Sequence, residues 1–351
     1  MPLDALARPV DDGLLDSLSE QTRNVEVFDP ISYGMLPVGL GVFTPGRRSP
    51  ADLFIPLYHE TQKQVVMSVA CRAGQVFLAA WRERLLNLRQ SHLYVARDQA
   101  RALLAELLDE AGQDLLAQPL IIRRARFRDL AMLSLNDLAH AHLEPAGLAA
   151  AMGQGRRLME LFWADREVLA KVGAILRNDP NLYCHSVNVS MVALALGRFL
   201  ELGRSRSLAL GLAGLVHDLG RFHLPAGLWE KPGLLSPDEL NAVQRHPDLG
   251  HDLLRADQAA APQVLLAVRH HHENADGSGY PAGLTAASTP LLARLLRLLD
   301  AYDAMTSHRP HRRAMPAYKA VRIIMDESER LYGRDLTRDF VRFLSKQFVH
   351  R

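Results

Sequence analysis

Most of the 15 histidines lie in the C-terminal half of the chain, close to aspartates that could share a metal ion with them. His217 and Asp218 stand side by side at the end of an apolar helical segment, so both side chains leave the same turn. Neutral imidazole and ionised carboxylate both suit divalent cations. A single His-Asp pair is weak evidence, because buried histidines often have structural partners. The neighbouring motifs therefore decide the interpretation.

Further histidines and acids surround this pair along the chain. His185 lies upstream and His246 lies downstream, before Pro247. The sequence His-His-Glu follows at residues 271–273, then Asp-Gly-Ser-Gly-Tyr-Pro at residues 276–281. Any one of these residues could cap or end a helix. It is much less plausible that all of them have such structural roles, in this order, than that they form one metal site together.

This order and spacing resembles the HD-GYP family, a branch of the HD-domain metal-dependent phosphohydrolases. The resemblance covers roughly residues 178–313, and its most specific part is the Asp-Gly-Ser-Gly-Tyr-Pro string after His-His-Glu. The N-terminal half contributes nothing to it. The resemblance implies an all-α domain that hydrolyses the bacterial second messenger cyclic di-GMP to linear pGpG, with a second cut to GMP left open.

The resemblance also implies a set of metal ligands in which Asp218 bridges two ions, iron or manganese. The set is His185, His217, Asp218, His246, His271, His272 and Asp300. Five imidazoles and two carboxylates are too many for one ion that must also hold water, so two ions sharing a carboxylate are expected. Two ions ~3.5–4 Å apart can lower the pKa of a water molecule and stabilise a phosphate during in-line attack.

The remaining site residues are expected in the same region. Catalytic roles are predicted for Asp218, Arg221 and Asp303, and substrate contacts for Arg221, Gly279, Tyr280, Pro281, Arg309 and Arg312. Glycine lets the backbone approach a nucleotide, tyrosine can stack on it, and guanidinium groups suit phosphate oxygens. Asp303 and Glu273 are also candidates to accept the free ring N–H of a ligand histidine or to hold water.

Three positions depart from the usual family pattern. Arg221 stands where lysine is typical, and arginine cannot release a proton near neutral pH, so it favours phosphate binding over acid catalysis. Asn181 stands where some members place a glutamate for a third metal, so two metals are expected. His311 replaces the tyrosine of the usual Arg-Pro-Tyr, which puts any contact of that tyrosine in doubt.

Two other functions remain open. One is a phosphodiesterase for a mixed cyclic GMP-AMP dinucleotide or another nucleotide, because the sequence shows no base contacts. The other is a catalytically weak protein that binds cyclic di-GMP or docks on signalling partners through its GYP surface. The complete ligand set argues against the second.

The elements that must position these residues suggest a multidomain chain. At 351 residues it can hold two domains with separate cores. Short β-type runs, such as those at residues 25–28, 53–57 and 64–69, together with helical segments predict a small α+β regulatory or sensory domain over residues 1–125, with no legible ligand. Residues 126–176 have helical spacing and predict a connector that could form a homodimer, and residues 177–351 predict an all-α domain.

Composition limits the other classes. The net charge is only +2, which gives no sign of a nucleic-acid polymer as partner. The two cysteines lie in different halves of the chain and suggest neither a disulfide framework nor a thiolate zinc site. No apolar run approaches the ~20 residues of a membrane span. A cytoplasmic protein is expected.

Overall fold

The computed structural model describes residues 34–59, 64–87, 90, 92–141, 147–174, 182–225, 228, 231, 233–307 and 313–348. Contacts within the chain divide it into two compact units, one ending at Leu133 and the other beginning at Ser134. The predicted domain limits at residues 125 and 176 stay predictions. Most of the predicted connector, from residue 134 onward, is grouped with the second unit.

The first unit contains a four-stranded antiparallel sheet. Its strands are β1 (Met35–Gly39), β2 (Leu53–His59), β3 (Gln64–Cys71) and β4 (His92–Ala96), in the order β1-β4-β2-β3. The helices are α1 (Ala79–Asn87), α2 (Ala100–Asp114) and α3 (Leu120–His140), which continues past the unit boundary. The predicted β-type runs at 53–57 and 64–69 are confirmed as strands, and the one at 25–28 lies outside the described residues.

One face of the sheet carries buried apolar side chains. Met35, Phe54, Met67, Val69 and Ala96 form one cluster on it. Alternation with a period of two places every second side chain on the same face. The small α+β character expected for the N-terminal part follows from this sheet and the helices around it.

The described part of the second unit is helical, and its only β-type pairing is an isolated bridge between Asp276 and Thr285. The helices are α4 (Gly147–Ala164), α5 (Arg166–Ala170), α6 (Leu182–Phe199), α7 (Arg204–Val216), α8 (Pro237–Val243), α9 (His246–Ala256), α10 (Pro262–Arg269), α11 (Leu291–Thr306), α12 (Ala317–Asp326) and α13 (Arg334–Phe348). 3₁₀ turns at Val172–Ala174 and Leu219–His223 and a π-helical turn at Ser328–Tyr332 complete it. Among the described residues, no helix has the length and apolarity needed to cross a bilayer.

Helices α6 and α7 pack closely because small residues line their contact. A Cβ atom added at Gly214 would lie 2.8 Å from Cα of Ser190, and one added at Gly197 would lie 2.8 Å from Oγ of Ser207. The Ser190 hydroxyl also donates to the carbonyl of Gly211 at 2.7 Å. Helix α6 carries His185 near its start, so this packing brings it close to the end of α7.

Candidate metal centre

The seven side chains predicted as metal ligands lie together in the second unit. His185 comes from α6, His217 and Asp218 directly follow α7, His246 begins α9, His271 and His272 follow α10, and Asp300 lies in α11. Three groups have ligand atoms within 4.8 Å of one another: His246, His271 and His272; His185, His217 and Asp300; His217, Asp218 and His271. Residues separated by more than a hundred positions thus meet because five helices converge on one point.

Asp218 occupies the middle of this cluster. Its Oδ2 lies 3.3 Å from Nε2 of His217 and 3.8 Å from Nε2 of His185. Its Oδ1 lies 3.3 Å from Nε2 of His246 and 4.0 Å from Nε2 of His271. One carboxylate oxygen therefore faces each set of imidazoles, which is the arrangement that a carboxylate shared between two cations requires.

Three of the histidine rings are oriented by backbone carbonyls. Nδ1 of His217 lies 2.9 Å from the carbonyl of Gly214, Nδ1 of His246 lies 2.7 Å from that of Val243, and Nδ1 of His271 lies 2.6 Å from that of Val268. In each case the acceptor lies three residues earlier. A carbonyl can only accept, so Nδ1 carries the hydrogen and Nε2 keeps its lone pair for a metal.

His185 is oriented by a side chain instead. Its Nδ1 lies 2.7 Å from Oδ2 of Asp303, and its Nε2 faces Oδ1 of Asp300 at 3.1 Å. Asp303 also accepts from Nδ2 of Asn188 at 2.9 Å and from Oγ of Ser307 at 3.1 Å. Asp303, predicted as a catalytic residue, therefore lies behind His185 and acts on its orientation. Sequence reasoning did not identify Asn188 and Ser307, although Asn188 lies one helical turn after His185 and Ser307 lies one turn after Asp303.

His272 makes contact with the Gly279–Pro281 segment. The Tyr280 ring stacks on its imidazole with centroids 4.7 Å apart and planes 25° from parallel. The Tyr280 N–H also donates to the His272 carbonyl at 3.2 Å. The peptide bond between Tyr280 and Pro281 is cis. The predicted substrate-binding residues Gly279, Tyr280 and Pro281 thus lie directly beside the metal cluster.

Arg221 contacts the central carboxylate. Its Nε lies 2.6 Å from Oδ1 of Asp218. Burial alone would raise the pKa of Asp218, but Arg221 and His217 hold this pKa well below its usual range. Asp218 is therefore ionised, as a ligand must be. The lysine that is typical at position 221 would bring the same charge without the planar guanidinium.

The pKa values of the histidines differ across the cluster. Burial holds the pKa of His271 well below its usual range, with the neighbouring His272 adding to the effect. Burial likewise holds the pKa of His272 well below that range. Burial would also lower the pKa of His185, but hydrogen bonds to Asp300 and Asp303 raise it to about 9. His271 and His272 are thus neutral near pH 7, whereas His185 is protonated in the metal-free protein.

The donor atoms fit divalent cations. Asp218 and His217 are at most 1% exposed. Within the described part of the chain, no hydrogen bond is aligned on either oxygen of Asp218, or on Nε2 of His217 or His272, although all four atoms are buried. Buried polar atoms without partners are costly. Imidazole and carboxylate donors that converge on a common point would be satisfied by a cation.

Some predicted residues cannot be placed. Arg309 and Arg312, predicted to bind substrate, lie outside the described residues, as do Asn181 and His311. Of the sequence-predicted site, the structure therefore brings together the metal ligands, Arg221, Asp303 and the segment from Gly279 to Pro281.

Comparison with known proteins places this cluster in a family context. Residues 172–336 match the family model described as HD domain. The protein of Pseudomonas aeruginosa named cyclic di-GMP phosphodiesterase PA4108 is 41% identical over 145 residues, which is 41% of this chain and 35% of that protein. The Vibrio cholerae protein named 3'3'-cGAMP-specific phosphodiesterase 1 is 35% identical over 145 residues, covering 41% of this chain and 33% of its own length. The chain thus spans about a third of the length of these relatives.

A solved structure shares the fold. It is Bd1817 from Bdellovibrio bacteriovorus, described as an HDG"Y"P protein, with a TM-score of 0.64 and 17% sequence identity. The likeness covers 89% of this chain and 99% of that one. Together these matches confirm the HD-GYP resemblance that the motifs indicated.

Proposed function

We propose that this protein is a metal-dependent phosphodiesterase of the HD-GYP type that hydrolyses cyclic di-GMP to linear pGpG, and the match of residues 172–336 to the HD domain model supports this. A second cut to GMP remains open. One observation carries the proposal: seven buried or nearly buried histidines and aspartates, with Asp218 in their middle, lie together, and several of their donor atoms lack hydrogen-bond partners among the described residues.

The proposed cofactor is a pair of divalent cations, iron or manganese. His185, His217 and Asp300 would hold one, and His246, His271 and His272 would hold the other, with Asp218 shared between them. When bound, the cations would supply Lewis acidity that lowers the pKa of a water molecule and offsets the negative charge of the phosphodiester.

Arg221 would bind a phosphate oxygen of the substrate. Its guanidinium contacts Asp218, so it lies next to the position where the phosphodiester must react. Arginine keeps its charge at every working pH, so this residue would stabilise negative charge on the phosphate without transferring a proton. Arg309 and Arg312 complete the proposed set of phosphate-binding side chains.

Gly279, Tyr280 and Pro281 would contact the nucleotide. Burial raises the pKa of the Tyr280 hydroxyl, so it stays protonated and can donate a hydrogen bond. Stacking on His272 fixes one face of the Tyr280 ring, and a ring held in this way loses little entropy when a ligand contacts it.

A mixed cyclic GMP-AMP dinucleotide is the second candidate substrate. One relative at 35% identity is named as a 3'3'-cGAMP-specific enzyme. Both substrates carry two phosphodiesters in the same ring, so the metal cluster alone would not distinguish them. The difference would come from base contacts beside Tyr280.

The test is a turnover assay on a panel of cyclic dinucleotides. The protein is loaded without oxygen with Fe²⁺ or Mn²⁺, incubated with each dinucleotide, and the products are separated by chromatography. Conversion of cyclic di-GMP to pGpG supports the main proposal, and faster conversion of cyclic GMP-AMP supports the second. Tight binding of cyclic di-GMP without any product would overturn both and favour a binding or docking protein.

The rest of the chain would regulate this activity. We assign the N-terminal α+β unit a sensory or regulatory role and the helices after residue 126 a role in coupling it to the catalytic part, in a homodimer or with signalling proteins. A cytoplasmic location belongs to the same proposal, since the proposed substrate is an intracellular messenger.

A further inference from the structure

Glu273 directly follows two metal-ligand candidates, yet its carboxylate contacts none of them in the described structure. The residue is only 2% exposed. A buried carboxylate is costly unless hydrogen bonds or charges compensate it. Its partners therefore show which part of the structure depends on it.

Those partners belong to the loop that carries Tyr280. The Ala282 N–H donates to Oε1 of Glu273 at 2.8 Å, and the Leu284 N–H donates to Oε2 at 2.9 Å. Nδ1 of His270 lies 3.4 Å from Oε1. Both oxygens thus hold the backbone immediately after Tyr280 and Pro281.

The other side of the same loop lies on the metal-ligand segment itself. A Cβ atom added at Gly279 would collide with backbone atoms of His272, Glu273 and Asn274, so this glycine lets the two backbones touch. The Tyr280 N–H donates to the His272 carbonyl, and its ring stacks on the His272 imidazole. The loop is therefore held from both sides by three consecutive residues, His272 to Asn274.

We propose that Glu273 is a positioning residue that holds the loop from Gly279 to Leu284, so that Tyr280 stays against His272 in the orientation that receives a nucleotide base. This inference rests on the proposed function and adds a determinant of selectivity to it. Glu273 favours a cyclic dinucleotide, which contacts the loop, over a small phosphodiester, which reaches only the metals and Arg221.

The first experiment uses Glu273→Gln, which keeps the size of the side chain but places an NH₂ group against a backbone N–H. Loss of one hydrogen bond to a charged group should raise KM for cyclic di-GMP about tenfold, with kcat changed much less. Hydrolysis of bis(p-nitrophenyl) phosphate and the metal content should stay at wild-type values. A KM for cyclic di-GMP equal to that of the wild type, or an equal loss on both substrates, would overturn the proposal.

Asp276→Asn is the matched control. Asp276 is an exposed acid three residues before this loop, and its Oδ1 accepts from the Ser278 N–H at 2.9 Å. An asparagine oxygen can accept the same hydrogen bond, so this variant should keep the wild-type KM. A tenfold increase in this variant too would mean that any acid-to-amide change near the loop has the same effect, and would overturn the specific role of Glu273.

Hydrogen exchange tests the positioning without requiring turnover or a stable variant. In the wild-type protein, the amides of Ala282 and Leu284 should exchange much more slowly than exposed loop amides, and in Glu273→Gln they should exchange faster. Rapid exchange of both in the wild type would overturn the proposal even if Glu273→Gln does not fold. A wild-type protein that hydrolyses no phosphodiester but protects these amides would refute the proposed function and leave the loop contacts supported.

Discussion

The histidines of the metal centre are oriented in two different ways. His217, His246 and His271 each direct Nδ1 at a backbone carbonyl three residues earlier. His185 depends on the carboxylate of Asp303, and His272 stacks on Tyr280. Backbone carbonyls are present whatever side chains surround them, so a single substitution rarely removes them. The side-chain supports can be lost one at a time, which makes His185 and His272 the adjustable part of the site.

The largest effect is expected at Asp218, whose carboxylate faces both His185 and the histidines that backbone carbonyls orient. Asp218→Asn removes the negative charge that faces both sets of imidazoles, while the side chain keeps its size. We expect loss of bound metal and a fall in turnover on the order of 10³-fold or more. Metal analysis and product formation check this in the same sample. Wild-type metal content and turnover in Asp218→Asn would remove Asp218 from the centre.

A smaller effect, confined to the cation site that includes His185, is expected from Asp303→Asn. The change weakens the orientation of His185, and loss of such an outer contact costs about 10- to 100-fold in metal affinity. The cation held by His246, His271 and His272 should stay bound, so metal titration should show one weakened and one unchanged site.

The control for this variant is Asp326→Asn, the same change at an exposed position in α12. It should bind metal as the wild type does. Equal loss of affinity at both cation sites in Asp303→Asn would show that the histidines oriented by side chains and those oriented by backbone carbonyls do not act separately.

The pH dependence of metal uptake distinguishes the same two parts. Hydrogen bonds to Asp300 and Asp303 outweigh the effect of burial and raise the pKa of His185 to about 9. A cation needs the neutral ring, so its binding must displace this proton, and affinity should rise about tenfold per pH unit from neutral pH to about 9, then level off. His271 and His272, whose pKa values are lowered, should release no proton in this range.

Calorimetry of metal binding in buffers with different ionisation enthalpies measures the released proton. In Asp303→Asn the release should shrink, because the pKa of His185 falls when its carboxylate partner is neutralised. Metal affinity that does not change between neutral pH and about 9 would contradict this assignment.

The smallest effect is expected at Tyr280. Tyr280→Phe keeps the stacking on His272, whereas Tyr280→Leu loses it. Aromatic pairs contribute about 0.5–1.5 kcal/mol beyond area burial, so Tyr280→Leu should raise KM for the dinucleotide about two- to tenfold more than Tyr280→Phe does. Steady-state kinetics measure the difference. Identical KM values for the two variants would mean that stacking does not orient the ring.

The sequence predicted the secondary-structure elements and the candidate metal ligands more fully than the contacts that orient those ligands. The short runs of β-type residues at 53–57 and 64–69, separated by turn signals, predicted strands that the structure contains. The resemblance to the HD-GYP family, carried by the motifs between His185 and Asp300, implied a set of side chains that the fold brings together.

The orienting contacts could not be predicted in the same way. The carbonyls that orient His217, His246 and His271 belong to Gly214, Val243 and Val268, whose side chains give no signal of this role. Glu273 was expected to accept from a ligand histidine or to hold water, whereas in the structure its carboxylate accepts from the backbone N–H groups of Ala282 and Leu284. These contacts depend on loop conformation, which a single sequence does not determine.

The seven predicted metal ligands are proposed to hold two cations, with Asp218 between them. Anomalous X-ray scattering, recorded at the iron or manganese edge from crystals of the loaded protein, tests it most directly. The account predicts two peaks, one against His185, His217 and Asp300 and the other against His246, His271 and His272. A single peak, or none, in protein that still converts cyclic di-GMP would contradict it.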